Sequence, residues 1–264
     1  MTRLKSGFAL ALPPATRICP HSMSESWKIA AFYHFVELPD RDAWAERMVE
    51  HGLQVGLRGT IIFANEGINS TCAGSHEAVD ATIALLQSDP RFAAMAVKYS
   101  YADFCPFPKF QVKKKAEIVT FRQPGADPRQ EVGTYLEPEE WNELIQDPEV
   151  ITIDTRNDYE VGVGKFKGAI NPDTDDFPEF AKFVDEHLAA QKDKKIAMYC
   201  TGGIRCERST AYLKQKGFKQ VPMMTIPITS YDRAAGEHFP CLSMAQTAHG
   251  AALCLTFLHM SFHN

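Results

Sequence analysis

Between the wholly apolar run Ile196–Tyr199 and a helical pattern from about Ile204 to Lys216 lies Cys200-Thr201-Gly202-Gly203-Ile204-Arg205. A short apolar run closed by glycines and followed by a helix reads as a buried strand feeding that helix. Such junctions belong to parallel α/β sheets, which bind ligands at the carboxyl ends of their strands. Gly202 and Gly203 let successive N–H groups turn inward as an anion nest, and the helix N-terminus adds its dipole and unpaired donors. A thiol placed there, at Cys200, is favoured as the thiolate. Arg205 closes the loop with a permanent charge, so the segment is a cradle for a thiolate, a persulfide or an oxyanion. Cys206 falls on the helix, either as a packing residue or as a resolving thiol. Glu207 and Arg208 read as surface charge.

The elements around this loop alternate. Pro138 suits the first turn of a helix that carries Glu139 and Glu140 near its positive end. Residues 150–154 form a short apolar strand, and Asp176 caps a helix whose Phe180, Phe183, Val184 and Leu188 face a core. Gly217 stops the helix that follows the loop. Upstream the pattern changes. Residues 27–36 read as a strand, and Asp40 caps a helix over 43–51 with Trp44, Met48 and Leu53 on one face. Residues 55–64 and 68–73 form a hairpin about Asn65-Glu66-Gly67. Ser75 caps a helix to Leu86 with Val79 and Ile83 in register. Residues 94–101 form a fourth strand, which 117–121 extends or follows. The order β-α-β-β-α-β is that of a ferredoxin-like split βαβ sandwich. Two prolines, two glycines and charges over 123–133 mark a linker.

The expected organisation is therefore an N-terminal extension over 1–23, a ferredoxin-like domain over 24–121, a linker over 122–136, a parallel-sheet domain over 137–221 and a divergent tail over 222–264. The 264 residues suffice for two small domains. A formal net charge of −5 excludes a surface that is basic throughout, though not a local basic patch. No apolar run reaches the length of a membrane span, and 250–258 is too short for one. Seven scattered cysteines with no C-x-x-C pair predict free thiols in a reducing compartment, with cytoplasmic the expected location. Residues 1–22 hold Arg3, Lys5 and Arg17 with no acid, which fits either an organellar transit segment or an untargeted tail. His238, His249, His259 and His263 near the C-terminus match no tight ligand pair, so no metal site is expected.

The Cys-x-x-x-x-Arg loop, together with Asp154-Thr155-Arg156 at the end of an earlier strand and Gly168-Ala169-Ile170-Asn171 after it, resembles a rhodanese domain. Its length suits the sulfurtransferase branch, since dual-specificity phosphatases use a loop one residue longer. Asp154 and Arg156 would by this resemblance brace the site, although a surface ion pair is the plainer reading of the two residues. Further upstream stand Gly56-Leu57-Arg58-Gly59-Thr60-Ile61, Asn65-Glu66-Gly67-Ile68-Asn69-Ser70 and Gly133-Thr134-Tyr135-Leu136. With Ile153-Asp154-Thr155-Arg156-Asn157-Asp158-Tyr159-Glu160, they make the chain from about Trp27 to Val221 similar to the tRNA uridine hydroxylase family.

The resemblance implies an acylphosphatase-like (ferredoxin-like) domain joined to a rhodanese domain. It also implies oxygen-dependent conversion of a tRNA wobble uridine to 5-hydroxyuridine, with Cys200 as the essential cysteine. The substrate region would be the anticodon, molecular oxygen the co-substrate, and no flavin, haem or iron motif is recognised. Lys109, Lys113, Lys114 and Lys115, interleaved with Phe104, Phe107 and Phe110, are the RNA-binding candidates. The alternative for this run is a solvated turn with its phenylalanines in the core. Two competing functions share the same residues: a persulfide-carrying sulfurtransferase, and a tRNA-binding module whose rhodanese domain is damaged. The second arises because Pro222-Met223-Met224-Thr225 departs from the family pattern, so the last strand of the sheet is expected to fail after Val221.

Overall fold

The computed structural model describes residues 26–162 and 164–224, and the backbone of Leu242–Met244. The expected N-terminal extension and most of the expected divergent tail, including its four histidines, lie outside the described residues.

The first unit runs β1 (Trp27–Phe35), α1 (Arg41–Val55), β2 (Arg58–Ala64), β3 (Gly67–Gly74), α2 (His76–Gln87) and β4 (Val97–Ala102), then β5 (Phe110–Lys114). Its sheet has the order β4-β1-β3-β2-β5, antiparallel except for the parallel β2–β5 pair. Strand alternation sends Ala30, Phe32, Ile61, Phe63, Ile68 and Cys72 to one face. There they form a core with Trp44 and Met48 of α1 and Val79, Ile83 and Leu86 of α2. Tyr33 and Phe35 therefore point to the opposite face. Ser75 Oγ accepts the Ala78 N–H and caps α2. Asp40 sits at the start of α1 but makes no cap, because Arg91 takes its carboxylate. α1 runs on to Val55 and ends at Gly56 in the left-handed conformation (φ 75°). Leu53, expected on the core face of that helix, is 68% exposed.

The second unit contains β6 (Thr134–Leu136), α3 (Pro138–Leu144), β7 (Ile151–Asp154), α4 (Asp158–Val161), β8 (Gly164–Phe166), α5 (Glu179–Phe183), β9 (Ile196–Tyr199), α6 (Ile204–Gln215) and β10 (Pro222–Met224). The sheet order is β6-β10-β9-β7, parallel throughout. All four residues of β9 are buried, as a central parallel strand requires. Ile196 and Met198 pack with Phe180, Val184, Tyr212 and Leu213 on one face, while Ala197 and Tyr199 pack with Trp141 and Phe166 on the other. A turn of π-helix over Val184–Leu188 prolongs α5. The backbone of Leu242–Met244 (β11) pairs antiparallel with β8.

Two further expectations change. The strand expected to fail after Val221 forms over Pro222–Met224 and lies inside the sheet, between β6 and β9, with all three residues buried. Proline is tolerated because it occupies the first residue of the strand. Residues 117–121 form no strand. The added strand is β5, so two of the four candidate lysines lie on a sheet edge rather than in a turn.

Candidate active site

Cys200 follows β9 and is 3% exposed. Gly203, at φ 101°, opens α6, and its N–H donates to Cys200 Sγ at 3.0 Å. A side chain at this φ is strained, so glycine is what allows the nest to close. Burial alone would push the Cys200 thiol up. It is outweighed by the Cys206 thiol, the charge of Arg205 and the backbone N–H groups of Cys206 and Gly203, which hold the thiol well below its ordinary value. Cys206 is itself buried, and burial and the Cys200 charge keep its thiol protonated. Its place is against Cys200, where it acts as a donor. At Cys72 burial outweighs the single hydrogen bond from Ser70, and the thiol is pushed up to about 12.

Arg205 reaches Glu160 with two hydrogen bonds, 2.6 and 2.8 Å, and Thr201 Oγ1 at 2.8 Å. Thr201 in turn donates to Glu160. The carboxylate of α4 thus anchors both ends of the loop, and it is wholly buried. Glu160 is the site residue that sequence reasoning missed as a side chain with a role, although its motif was noted. Asp154 and Arg156 form a second buried pair (2.6 Å), and their remaining hydrogen bonds go to the Tyr199 hydroxyl and the Gly164 carbonyl. They are one strand away and interior, not on the surface. Ile204 begins the helix, and Gly202 is half-buried. Among the described residues no group of three or more His, Cys, Asp or Glu could hold a metal ion, and no helix is long and apolar enough to cross a membrane.

Glu207 and Arg208, read from sequence as surface charge, instead join the two units. Glu207 accepts from the hydroxyls of Tyr33 and Tyr135, each at 2.7 Å. Arg208 donates to the Ala126 carbonyl at 2.7 Å and to Glu66, and lies over the Phe35 ring. The turn residue Glu66 also accepts the Ile118 N–H, while Asn69 donates to the Ile118 carbonyl. The Asn65–Ser70 motif thereby grips the chain as it leaves the first unit. A cleft of about 320 Å³ lined by Glu66, Glu117, Arg122, Asp127, Arg129 and Arg208 lies at this junction, apart from Cys200.

The candidate RNA-binding residues do not form one continuous face. Lys113 and Lys114 are adjacent on β5 and so point to opposite sides of the sheet. Lys109 and Lys114 are exposed, Lys113 and Lys115 half-buried. Of the interleaved phenylalanines only Phe104 is exposed. Phe107 packs under Trp27, and Phe110 lies against the helical core. β5 is the sheet edge opposite β4, whose Lys98 touches the Cys200 loop.

A parallel sheet with a six-residue Cys-to-Arg loop at a helix N-terminus, joined to a split βαβ sandwich, defines a rhodanese-type protein with an acylphosphatase-like partner domain. A model of the UPF0176 acylphosphatase-like domain matches residues 27–118, and one of the rhodanese-like domain matches 137–226. A protein of a Picosynechococcus species named tRNA uridine(34) hydroxylase is 49% identical over 193 residues, 73% of this chain and 65% of the relative. This chain is similar to that relative across both domains and spans 65% of the relative's length. Among solved structures, a rhodanese-like domain protein from Staphylococcus aureus is 20% identical, with a TM-score of 0.32 over 43% of this chain and 99% of its own. A rhodanese-related protein from Thermoplasma volcanium is 21% identical, with a TM-score of 0.32 over 39% and 95%.

Proposed function

We propose that this chain hydroxylates the wobble uridine of tRNA to 5-hydroxyuridine, with molecular oxygen as co-substrate and Cys200 as the reactive group. One observation carries the reading: the thiol held as an anion by the Cys200–Arg205 loop sits in a domain pair that is 49% identical to a protein named for that reaction. A thiolate is a soft nucleophile. In this reading it adds to C6 of the uracil ring, and the C5–C6 π pair moves onto C5, which adds oxygen as a hydroperoxide. An external two-electron reductant such as a dithiol, with two protons, converts that to the C5 alcohol and water. Loss of the C5 proton then expels the thiolate from C6 and restores the double bond. Of the four candidate lysines, the exposed Lys109 and Lys114 are proposed to contact phosphates of the anticodon arm.

Nucleoside mass spectrometry tests the proposal. Cells lacking the gene are complemented with wild type or with Cys200→Ser, and tRNA 5-hydroxyuridine is measured. The wild-type gene is expected to restore the nucleoside and the variant to leave it absent. Equal restoration by both removes Cys200 from the chemistry, and restoration by neither removes the reaction from this chain.

A further inference from the structure

The Cys200 loop is touched by a cation from the other domain. Lys98, on edge strand β4, donates from Nζ to the Gly202 carbonyl at 3.0 Å. The next atom along the chain is the Gly203 nitrogen, whose N–H points at Cys200 Sγ from 3.0 Å. These are the two ends of one peptide group. A trans peptide is planar, with C=O and N–H pointing in opposite directions, so whatever fixes the carbonyl also fixes the N–H. A hydrogen bond to the carbonyl polarises the same group and strengthens the donation at its far end.

We propose that Lys98 is a positioning residue for Cys200: by holding the Gly202 carbonyl it aims the Gly203 N–H at the sulfur, so the acylphosphatase-like domain completes the thiolate site of the rhodanese domain. Three further observations agree. Arg205, the cation the loop itself carries, is already matched by Glu160, whereas among the described residues no carboxylate forms an ion pair with Lys98. Lys98 is exposed as a residue, yet its ammonium end is desolvated against the loop, which lowers its pKa from the ordinary value, and the Cys200 charge opposes that shift. Lys98 is paired across the sheet with Ala31, two residues from Tyr33 on the same face. The Tyr33 hydroxyl lies 2.6 Å from where a Cβ on Gly203 would stand. Two residues of one sheet face therefore bracket the same peptide. The groups that bear on the thiol are Arg205, Cys206 and Glu207 of α6, Lys98 of β4, Tyr33 of β1 and Tyr135 of β6.

The test reads the thiol directly and needs no tRNA, so its failure is separate from failure of the hydroxylase reading on which the site's use depends. Full-length wild type, Lys98→Met and Lys98→Arg are alkylated with iodoacetamide across a pH series, and the peptide carrying Cys200 is followed by mass spectrometry. Lys98→Met is expected to raise the midpoint by about half to one pH unit, and Lys98→Arg to keep it near the wild-type value. Circular dichroism and melting temperature confirm that the variants are folded. Should Lys98→Met not fold, Lys98→Gln, which keeps a donor without the charge, is expected to give a smaller upward shift. A midpoint unchanged in Lys98→Met, or moved equally in Lys98→Met and Lys98→Arg, overturns the proposal.

Discussion

Arg205 and Glu160 show how far a residue's sequence reading can differ from its role. In sequence, Arg205 is a loop cation available to an anion; in the fold it is 7% exposed and clasped by Glu160. Its service to Cys200 is long-range charge plus the shape it gives the loop. Removing the carboxylate leaves a buried unpaired guanidinium, so Glu160→Ala is expected to cost about 3–5 kcal/mol in urea denaturation. Burial opposes the charge on Glu160, but Arg205 and Thr201 outweigh it and hold the carboxyl below the usual range. A depressed carboxyl pKa contributes stability that is present above the unfolded value, about 4.3 for glutamate. That stability is lost as pH falls through the folded value. Wild type is therefore expected to lose more stability than Glu160→Gln when acidified over that window, read from urea midpoints in a pH series. Gly203→Ala forces a Cβ into a left-handed backbone, at a cost of roughly 1–2 kcal/mol from φ alone, read in the same experiment. Cys200, Gly202 and Gly203 were legible because strand, glycines and helix are contiguous. Glu160 was not, because nothing in a linear pattern says which acid of Asp158-Tyr159-Glu160 turns inward.

At the scale of elements, long amphipathic segments were readable and three-residue strands were not. α1, α2 and α6 carry their own periodicity and stops, whereas β6 and β10 are held by their neighbours. β10 illustrates the difference: its sequence, Pro-Met-Met, has no strand signature, yet Met223 is wholly buried and pairs with Met198 of β9. Its sulfur also accepts from the Thr210 hydroxyl. Met223→Ala is expected to cost about 2–5 kcal/mol, measured by thermal or urea denaturation, since the cavity opens inside the sheet rather than at its rim. β5 was missed for a related reason. Its lysines read as solvated turn, but Phe110 and Val112 alternate with Gln111 and Lys113 and pack on the core beneath.

At the scale of the whole molecule, the division into two units was visible from the changed pattern and the linker, but not how the units meet. That contact is made by side chains far apart in sequence: Tyr33 with Glu207, Glu66 with Arg208, Lys98 with Gly202. Arg208→Ala removes the buried cation that Glu66, Ala126 and Phe35 surround. Calorimetry is expected to show the unfolding endotherm broaden or split into two, with faster proteolytic cutting within 122–136. A single sharp transition at the wild-type temperature would mean that the units are coupled elsewhere. The position of β10 also bears on biosynthesis. The first unit closes its sheet from contiguous chain, so it can form while the rest is still being translated. β6 is made early but has only β10 beside it in the sheet. The nascent second unit must therefore wait, with that edge unpaired, until Met224 has cleared the ribosome. A stop codon placed before Pro222 would leave a folded first unit joined to a segment that quality-control proteases can attack.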